Sequence, residues 1–123
     1  MIDHVELQVA DAEASLRFFA RALAPLGYAL HVRGPSNGFG TSLAALDFWL
    51  KSGGPSEPRP HVAFNCVDRA TVDAAHAAAL AGGGRDNGAP AVLARIHPNY
   101  YAAFVRDPDG HNIEFVCHDA PAT

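Results

Sequence analysis

The chain has 123 residues, a net charge of −4 at pH 7 and 49% hydrophobic residues. A chain of this length can bury roughly two thirds of the surface that its unfolded form exposes, so one compact domain with its own core is expected over residues 1–123. Its nine basic residues are scattered and form no basic stripe, which argues against nucleic acid as a partner. No apolar run approaches the roughly 20 residues that span a bilayer, and residues 1–4 carry no basic segment. We therefore expect a cytoplasmic protein with no membrane partner.

The sequence repeats itself with an offset of 57 residues. Aligned without a gap over 24 positions, the two copies share eight identities. In the first copy these are His4, Val5, Asp11, Ala20, Ala22, Leu23, Ala24 and Gly27. The repeat predicts a first module over residues 1–52 and a second over 61–118, joined by a linker rich in Pro, Gly and Ser over 53–60.

Each module begins with a strand in which apolar and polar residues alternate. The apolar residues of the first strand, Val5, Leu7 and Val9, share one face, and a helix must cover that face. The other face carries His4, Glu6 and Gln8. The second copy repeats the pattern, with His61 and Asn65 on its polar face. The two modules should therefore each have one open, polar face.

A helix of about a dozen residues follows each of these strands. Asp11 and Asp68 stand where a helix N-cap is expected, because their carboxylates can accept hydrogen bonds from the first free N–H groups. Gly27 and the glycine run 82–84 should end the helices, since glycine adopts the left-handed conformation there without strain.

Three further strands complete each module as a βαβββ unit. In the first module they are expected at 28–33, 41–46 and 47–51, with 34–38 as a turn. In the second they are expected at 91–96, 101–106 and 112–117, the last two joined by a turn over 107–110. Two such units predict an α+β protein whose eight strands form an open cup, with the helices on its outer face.

The polar faces contain a candidate metal site. A single histidine at a strand start is usually held by hydrogen bonds, but His4 and His61 occupy the same place in both copies. Glu114 lies between apolar neighbours in the last strand, where a lone carboxylate is unfavourable unless it is paired or coordinated. Two histidines and a carboxylate hold Fe, Mn, Ni or Zn with open coordination positions. An ion pair of Glu114 with Arg95 or Arg106 is the alternative.

Three segments carry a resemblance to a known family: DHVELQVAD at the start, HVAF in the middle and DPDGHNIEF near the end. In order and spacing they are similar to the vicinal-oxygen-chelate superfamily of glyoxalase I, extradiol dioxygenases, fosfomycin-resistance thiol transferases and bleomycin-resistance proteins. The resemblance implies two modules around one divalent metal ion, in a site that is often completed across a dimer. His4, His61 and Glu114 fall on three ligand positions of the family.

The fourth ligand of glyoxalase I, a glutamate, falls where this chain has Trp49, with Asp47 two residues before it. The site therefore resembles the three-ligand pattern of the dioxygenases and thiol transferases. Trp49 either stacks on a ligand or fills the cup. His111, in the turn before Glu114, is expected to be an exposed turn residue, and a role in supporting a metal ligand is the alternative.

Two functions follow from the resemblance. The first is a metal-dependent enzyme of the glyoxalase or dioxygenase type, in which the cation chelates adjacent oxygens of a small substrate. Glu6 is its candidate general base, and an aromatic segment could position the substrate or simply pack. Its members are His97, Tyr100 and Tyr101. The second function is a non-enzymatic binding or resistance protein of the bleomycin-resistance type. A homodimer and a small-molecule ligand are expected in both cases.

Overall fold

The computed structural model describes residues 1–122 and contains two four-stranded sheets with two helices. The first sheet is formed by β1 (Val5–Val9), β2 (Ala29–Val32), β3 (Ser36–Gly40) and β4 (Leu46–Ser52). The second is formed by β5 (His61–Asn65), β6 (Arg85–Val92), β7 (Tyr101–Arg106) and β8 (Asn112–Cys117). Helix α1 (Ala12–Ala22) follows β1, and helix α2 (Arg69–Ala81) follows β5. The predicted α+β fold of two repeated βαβββ modules is confirmed.

Both sheets have the same topology. The strand order is β1-β4-β3-β2 in the first and β5-β8-β7-β6 in the second. In each module the first strand is parallel to the last, and the other neighbours are antiparallel. In the second sheet His61 lies opposite Asn112, and Ala63 opposite Glu114. The topology therefore places the first and last strands of each module side by side, and in the second module it brings His61 and Glu114 onto neighbouring strands.

One hydrophobic core is shared by both modules. Phe19 of α1 contacts the rings of Phe39 and Phe48 in the first sheet. The ring of Phe48 also meets Phe64 of the second sheet, with 5.0 Å between the ring centroids. Because the apolar faces of both sheets join this one core, their polar faces point away from it.

Both predicted N-caps are present. Asp11 accepts a hydrogen bond from the N–H of Ala14, and Asp68 accepts one from Thr71. The helices that they begin have 11 and 13 residues. In the described part of the chain, no helix is long and apolar enough to cross a membrane.

The prediction of a turn at 34–38 and a strand at 41–46 was wrong, because β3 occupies Ser36–Gly40 and the turn follows it. The residues that are typical of turns form part of this strand instead. Asn37 is buried, where it accepts from the N–H of Gly34 and donates to the carbonyl of Leu50. At Gly40 a Cβ would lie 2.0 Å from the carbonyl oxygen of Ala45, so this strand end tolerates only glycine.

The strand expected at 91–96 was also wrong in its position, because β6 spans Arg85–Val92. This segment contains Gly88 and Pro90, which normally argue against a strand. It is an edge strand with register shifts on both sides of Gly88, and an edge strand tolerates both residues. The turn lies at 93–96 instead, closed by a bond from the N–H of Ile96 to the carbonyl of Leu93.

Candidate functional site

His61, at the start of β5, is oriented by the neighbouring strand. Its Nδ1 lies 2.9 Å from the carbonyl oxygen of Asn112 in β8. A carbonyl oxygen only accepts, so Nδ1 carries the proton and donates. The other ring nitrogen, Nε2, then faces Oε1 of Glu114 at 3.0 Å. A hydrogen bond from one ring nitrogen to a carbonyl is the usual way in which proteins orient a histidine toward a metal ion.

Glu114 is only 3% exposed, although it lies on the open face of β8. Tyr100 donates its hydroxyl to Oε2, while Oε1 faces His61. Burial and the neighbouring carboxylate raise the pKa of Tyr100 to about 12, so the phenol stays protonated as a donor. Arg106, one alternative partner considered for Glu114, donates to the carbonyl of Gly110 instead. The side-chain partners of the carboxylate are thus His61 and Tyr100.

The contact between His61 and Glu114 suits a cation. With Nδ1 protonated, a neutral His61 offers a lone pair at Nε2, and a carboxylate oxygen offers another. Two such acceptors at 3.0 Å require a positive charge or a proton between them. Two ligand atoms bonded to a metal at about 2.1 Å and at right angles also lie about 3.0 Å apart. The pair therefore fits a divalent ion. Without an ion, a proton shared between the two atoms would satisfy both acceptors.

The open face of the first sheet carries a second group of candidates. A cavity of about 440 Å³ is lined by Asp3, His4, Glu6, Ser36, Leu46 and Trp49. Nδ1 of His4 contacts the carboxylate of Asp3 at 2.7 Å. Ser36 donates its hydroxyl to Oε2 of Glu6 at 2.8 Å. Asp47, the other candidate near the fourth ligand position, accepts a bond from the hydroxyl of Tyr28.

The two groups form separate half-sites. We call His4, Glu6 and Trp49 the first-sheet half-site. His61, Glu114 and Tyr100 form the second-sheet half-site. Over residues 1–122, His4 does not join His61 and Glu114 in any group of three whose ligand atoms all lie within 4.8 Å of one another. In the described part of a single chain, the three predicted ligands are thus not assembled into one such group.

One group of three does meet that criterion: Asp107, Asp109 and His111 in the turn between β7 and β8. It is a possible metal-binding group, but its atoms already have partners. Asp107 accepts from the N–H groups of Asp109 and His111 and from Nδ1 of His111. His111 is 1% exposed, so the expectation of an exposed residue was wrong. Its burial follows from this pairing with Asp107, which the turn motif alone does not reveal.

The aromatic residues after β6, His97, Tyr100 and Tyr101, do not all contact the same part of the second module. Tyr100 belongs to the second-sheet half-site, and His97 lies beside it, with Nε2 2.9 Å from Nδ1 of His118. Tyr101 instead donates its hydroxyl to Asp73 of α2, and the guanidinium of Arg69 lies over its ring. This placement favours packing over substrate contact for Tyr101.

The comparisons with known proteins identify the family and the fold. A family model described as Glyoxalase/Bleomycin resistance protein/Dioxygenase superfamily matches residues 1–115. The chain is similar to a solved glyoxalase/bleomycin resistance protein from Albidiferax ferrireducens T118, with 25% identity and a TM-score of 0.80, over 95% of this chain and 98% of that one. No curated protein matches the sequence.

Two further solved structures have the same fold. One is a glyoxalase/bleomycin resistance protein/dioxygenase family enzyme from Burkholderia phytofirmans PsJN, with 16% identity and a TM-score of 0.73, over 96% of this chain and 98% of that one. The other is a glyoxalase I mutant from Zea mays, with 23% identity and a TM-score of 0.71, over 94% of this chain and 46% of that one. At these identities the likeness concerns the fold alone.

Proposed function

The chain belongs to the Glyoxalase/Bleomycin resistance protein/Dioxygenase superfamily, and we propose that it is a metal-dependent enzyme acting on a small molecule with two adjacent oxygens. The supporting observation is the pair of acceptors at 3.0 Å, Nε2 of His61 and Oε1 of Glu114, held by Asn112 and Tyr100. Fe, Mn, Ni or Zn suits such ligands. When bound, the ion would act as a Lewis acid on the two substrate oxygens.

The third ligand in this proposal is His4 of a second copy of the chain. His4 lies on the open face of the first sheet, whereas His61 and Glu114 lie on the open face of the second. The support for a second copy is that, over residues 1–122, the ligand atoms of these three residues do not all lie within 4.8 Å of one another. A homodimer with two-fold symmetry would join the first-sheet half-site of each copy to the second-sheet half-site of the other, and so form two equal sites.

Glu6 is the proposed general base. It lines the same cavity as His4. The hydroxyl of Ser36 donates a hydrogen bond to its Oε2. This bond leaves Oε1 free to accept a proton from a substrate. Trp49 lines the same cavity and offers an aromatic surface to that substrate. Proton transfer at Oε1 of Glu6 would serve an isomerase or lyase of the glyoxalase type.

Metal analysis tests the site directly. After reconstitution with Zn, Ni or Mn and removal of excess ion, we expect about one ion per chain in the wild type and loss of the ion in His61→Ala and Glu114→Gln. His31→Ala, at an exposed histidine outside both half-sites, should retain it. Equal metal content in all the variants would rule the site out. For a metal-loaded protein, turnover of methylglyoxal with glutathione, compared with oxygen uptake on catechols, separates the two reaction types.

A non-enzymatic binding protein is the second candidate, and the first-sheet cavity favours it. Trp49 and four polar side chains, Glu6 and His4 among them, line a cavity of about 440 Å³ that could accept a small aromatic compound without a metal ion. Trp49 is the only tryptophan, so its fluorescence would report binding in metal-free protein. Quenching by aromatic compounds without turnover of any substrate would favour this function over the enzyme.

A further inference from the structure

Tyr100 reaches Glu114 from the end of the loop between β6 and β7, residues 93–100. The loop is closed at its base, where the N–H of Leu93 donates to the carbonyl of Tyr100 at 2.7 Å. Within it, the N–H of Tyr100 donates to the carbonyl of His97 at 3.2 Å. These bonds shape the loop, but they do not attach it to β8, which carries Glu114.

A hydrogen bond between the side chains of His97 and His118 attaches the loop to the end of β8. A backbone N–H determines which of the two histidines donates this bond. The N–H of Asn99 donates to Nδ1 of His97 at 3.1 Å, so this nitrogen is an unprotonated acceptor. In the neutral ring the proton is then on Nε2, which lies 2.9 Å from Nδ1 of His118. His97 therefore donates to His118, the residue that follows β8 and stands four positions after Glu114.

The same geometry argues against a metal ion between these two histidines. A neutral His97 that binds a metal through Nε2 carries its proton on Nδ1. That proton would point at the N–H of Asn99, which now donates to the same atom. The contact is thus a hydrogen bond that joins the loop to the end of β8.

The two imidazole rings also confine the ring of Tyr100. His97 meets it edge-on with 5.4 Å between the ring centroids, and His118 meets it at 5.2 Å. We propose that His97 and His118 are positioning residues that hold Tyr100 on Oε2 of Glu114, a role that rests on the proposed function because it leaves Oε1 alone to bind a cation.

Amide hydrogen exchange of the metal-free protein tests the attachment. His118→Phe keeps a ring but removes the acceptor, and exchange over residues 93–100 should rise roughly fivefold to tenfold, the effect of losing one hydrogen bond. In His118→Asn, Oδ1 replaces Nδ1 as the acceptor and should restore protection. His31→Phe should match the wild type. Unchanged exchange in His118→Phe, or an Asn variant that behaves like the Phe variant, would overturn the proposal.

Two spectra extend the test to Glu114. In metal-free His118→Phe, the carbon resonance of the labelled Tyr100 ring should move toward its position in Glu114→Ala. In Co²⁺-loaded protein, the same variant should bind the ion about 10- to 100-fold more weakly and show an altered visible spectrum, as when an outer partner of a ligand is lost. A wild type that binds no Co²⁺ would sink the proposed function alone, since the exchange data and the Tyr100 resonance decide the role of the histidines independently.

Discussion

The position of the Trp49 ring depends on a glycine in the neighbouring strand. Gly38 lies opposite it in the pairing of β3 with β4, and a Cβ on Gly38 would lie 2.9 Å from Cη2 of the indole. The missing side chain lets the ring lie against the strand, where it lines the cavity that also contains His4 and Glu6. The shape of the first-sheet half-site thus depends on Gly38.

Gly38→Ala should displace the indole of Trp49. The added methyl group overlaps the ring, and overpacking of this kind costs typically about 1–3 kcal/mol in the free energy of unfolding. Urea unfolding measures the loss, and the emission of the single tryptophan reports the displacement. Gly54→Ala is the matched control, because no heavy atom lies within 4 Å of the new Cβ there. Unchanged emission in Gly38→Ala would contradict this account of Trp49.

Glu6→Gln should separate proton transfer from metal binding. Glutamine keeps an oxygen that can accept from the hydroxyl of Ser36 but cannot take up a proton from a substrate. We expect the metal content to stay at the wild-type level and turnover to fall about 100-fold or more, the scale of general-base catalysis. Ser36→Ala, which leaves the carboxylate in place, should have a smaller effect. Full activity in Glu6→Gln would exclude Glu6 as the base.

Strand periodicity by itself predicts His4, His61 and Glu114 on the polar faces of their strands. It cannot identify Tyr100 as the partner of Glu114, because the path of a loop follows no periodic pattern. It also gives no signal for His118, which acts through a contact between a loop and a strand end. The repeat aligns the two histidines but carries no information on how the modules are oriented.

At the level of the elements, the turn between β7 and β8 connects the two modules. Its Asp107 is buried and accepts three hydrogen bonds from within the turn. Asp109 then reaches out of the turn, where its carboxylate accepts from the N–H of Ala10 and its carbonyl from Nε of Arg59. The turn therefore fixes the end of β1 and the segment before β5 against the second sheet.

Asp107→Ala should destabilise this junction between the two modules. It leaves buried donors of the turn without acceptors, and each such group costs about 1–3 kcal/mol, so a loss of roughly 3 kcal/mol or more in the free energy of unfolding is expected. Urea unfolding measures this loss, with the exposed Asp119→Ala as control.

Because the oxygens of Asp107 already accept these bonds, the turn itself should not bind a divalent ion. In His61→Ala, which lacks the proposed metal site, divalent ions should therefore not raise the Tm. A rise in that variant would instead assign a metal ion to the turn.

Asp86 makes the attachment of α2 to β6 sensitive to acid. A bond from the N–H of Gly88, followed by the contact with His76 of α2, lowers the pKa of Asp86 below its ordinary value of 3.8. A carboxyl group with a lowered pKa in the folded state stabilises the fold above its ordinary value, and this contribution is lost as the pH falls through the folded value. Asp86→Asn should therefore weaken the pH dependence of urea unfolding below about pH 4. An unchanged dependence would contradict the assignment.

The misplaced strands have a common physical cause. β3 contains Asn37, Gly38 and Gly40, and β6 contains Gly88 and Pro90, all of which read as turn residues along the sequence. In the folded chain these residues serve close contacts or lie at an edge, which only the neighbouring strands determine. The strands with regular alternation, such as β1, β5 and β8, were predicted close to their observed bounds.

At the scale of the whole molecule, the two modules are joined by one shared core. Aromatic contacts from Tyr28 and Phe48 to Phe64 join the two sheets on their apolar faces. Over residues 1–122, His4, His61 and Glu114 nevertheless form no group whose ligand atoms all lie within 4.8 Å of one another. This separation supports the proposal that the third ligand comes from a second copy of the chain.

Mixed dimers can test this proposal. If each site takes His4 from one copy and the second-sheet half-site from the other, a dimer of His4→Ala with His61→Ala has one intact site. Random pairing of equal amounts gives about half mixed dimers, so about one quarter of the sites should bind metal after the two inactive variants are refolded together. Metal analysis and turnover both measure the recovery.

The matched control pairs two variants of the same half-site. A mixture of His61→Ala with Glu114→Gln damages the second-sheet half-site in every chain, so no pairing rebuilds a complete site and no recovery is expected. Recovery in both mixtures would mean that something other than the ligands is exchanged. Recovery in neither would mean that no site takes its ligands from two copies. Because only sharing across two copies predicts recovery in the first mixture alone, this comparison links the fold of one chain directly to the architecture of the proposed metal centre.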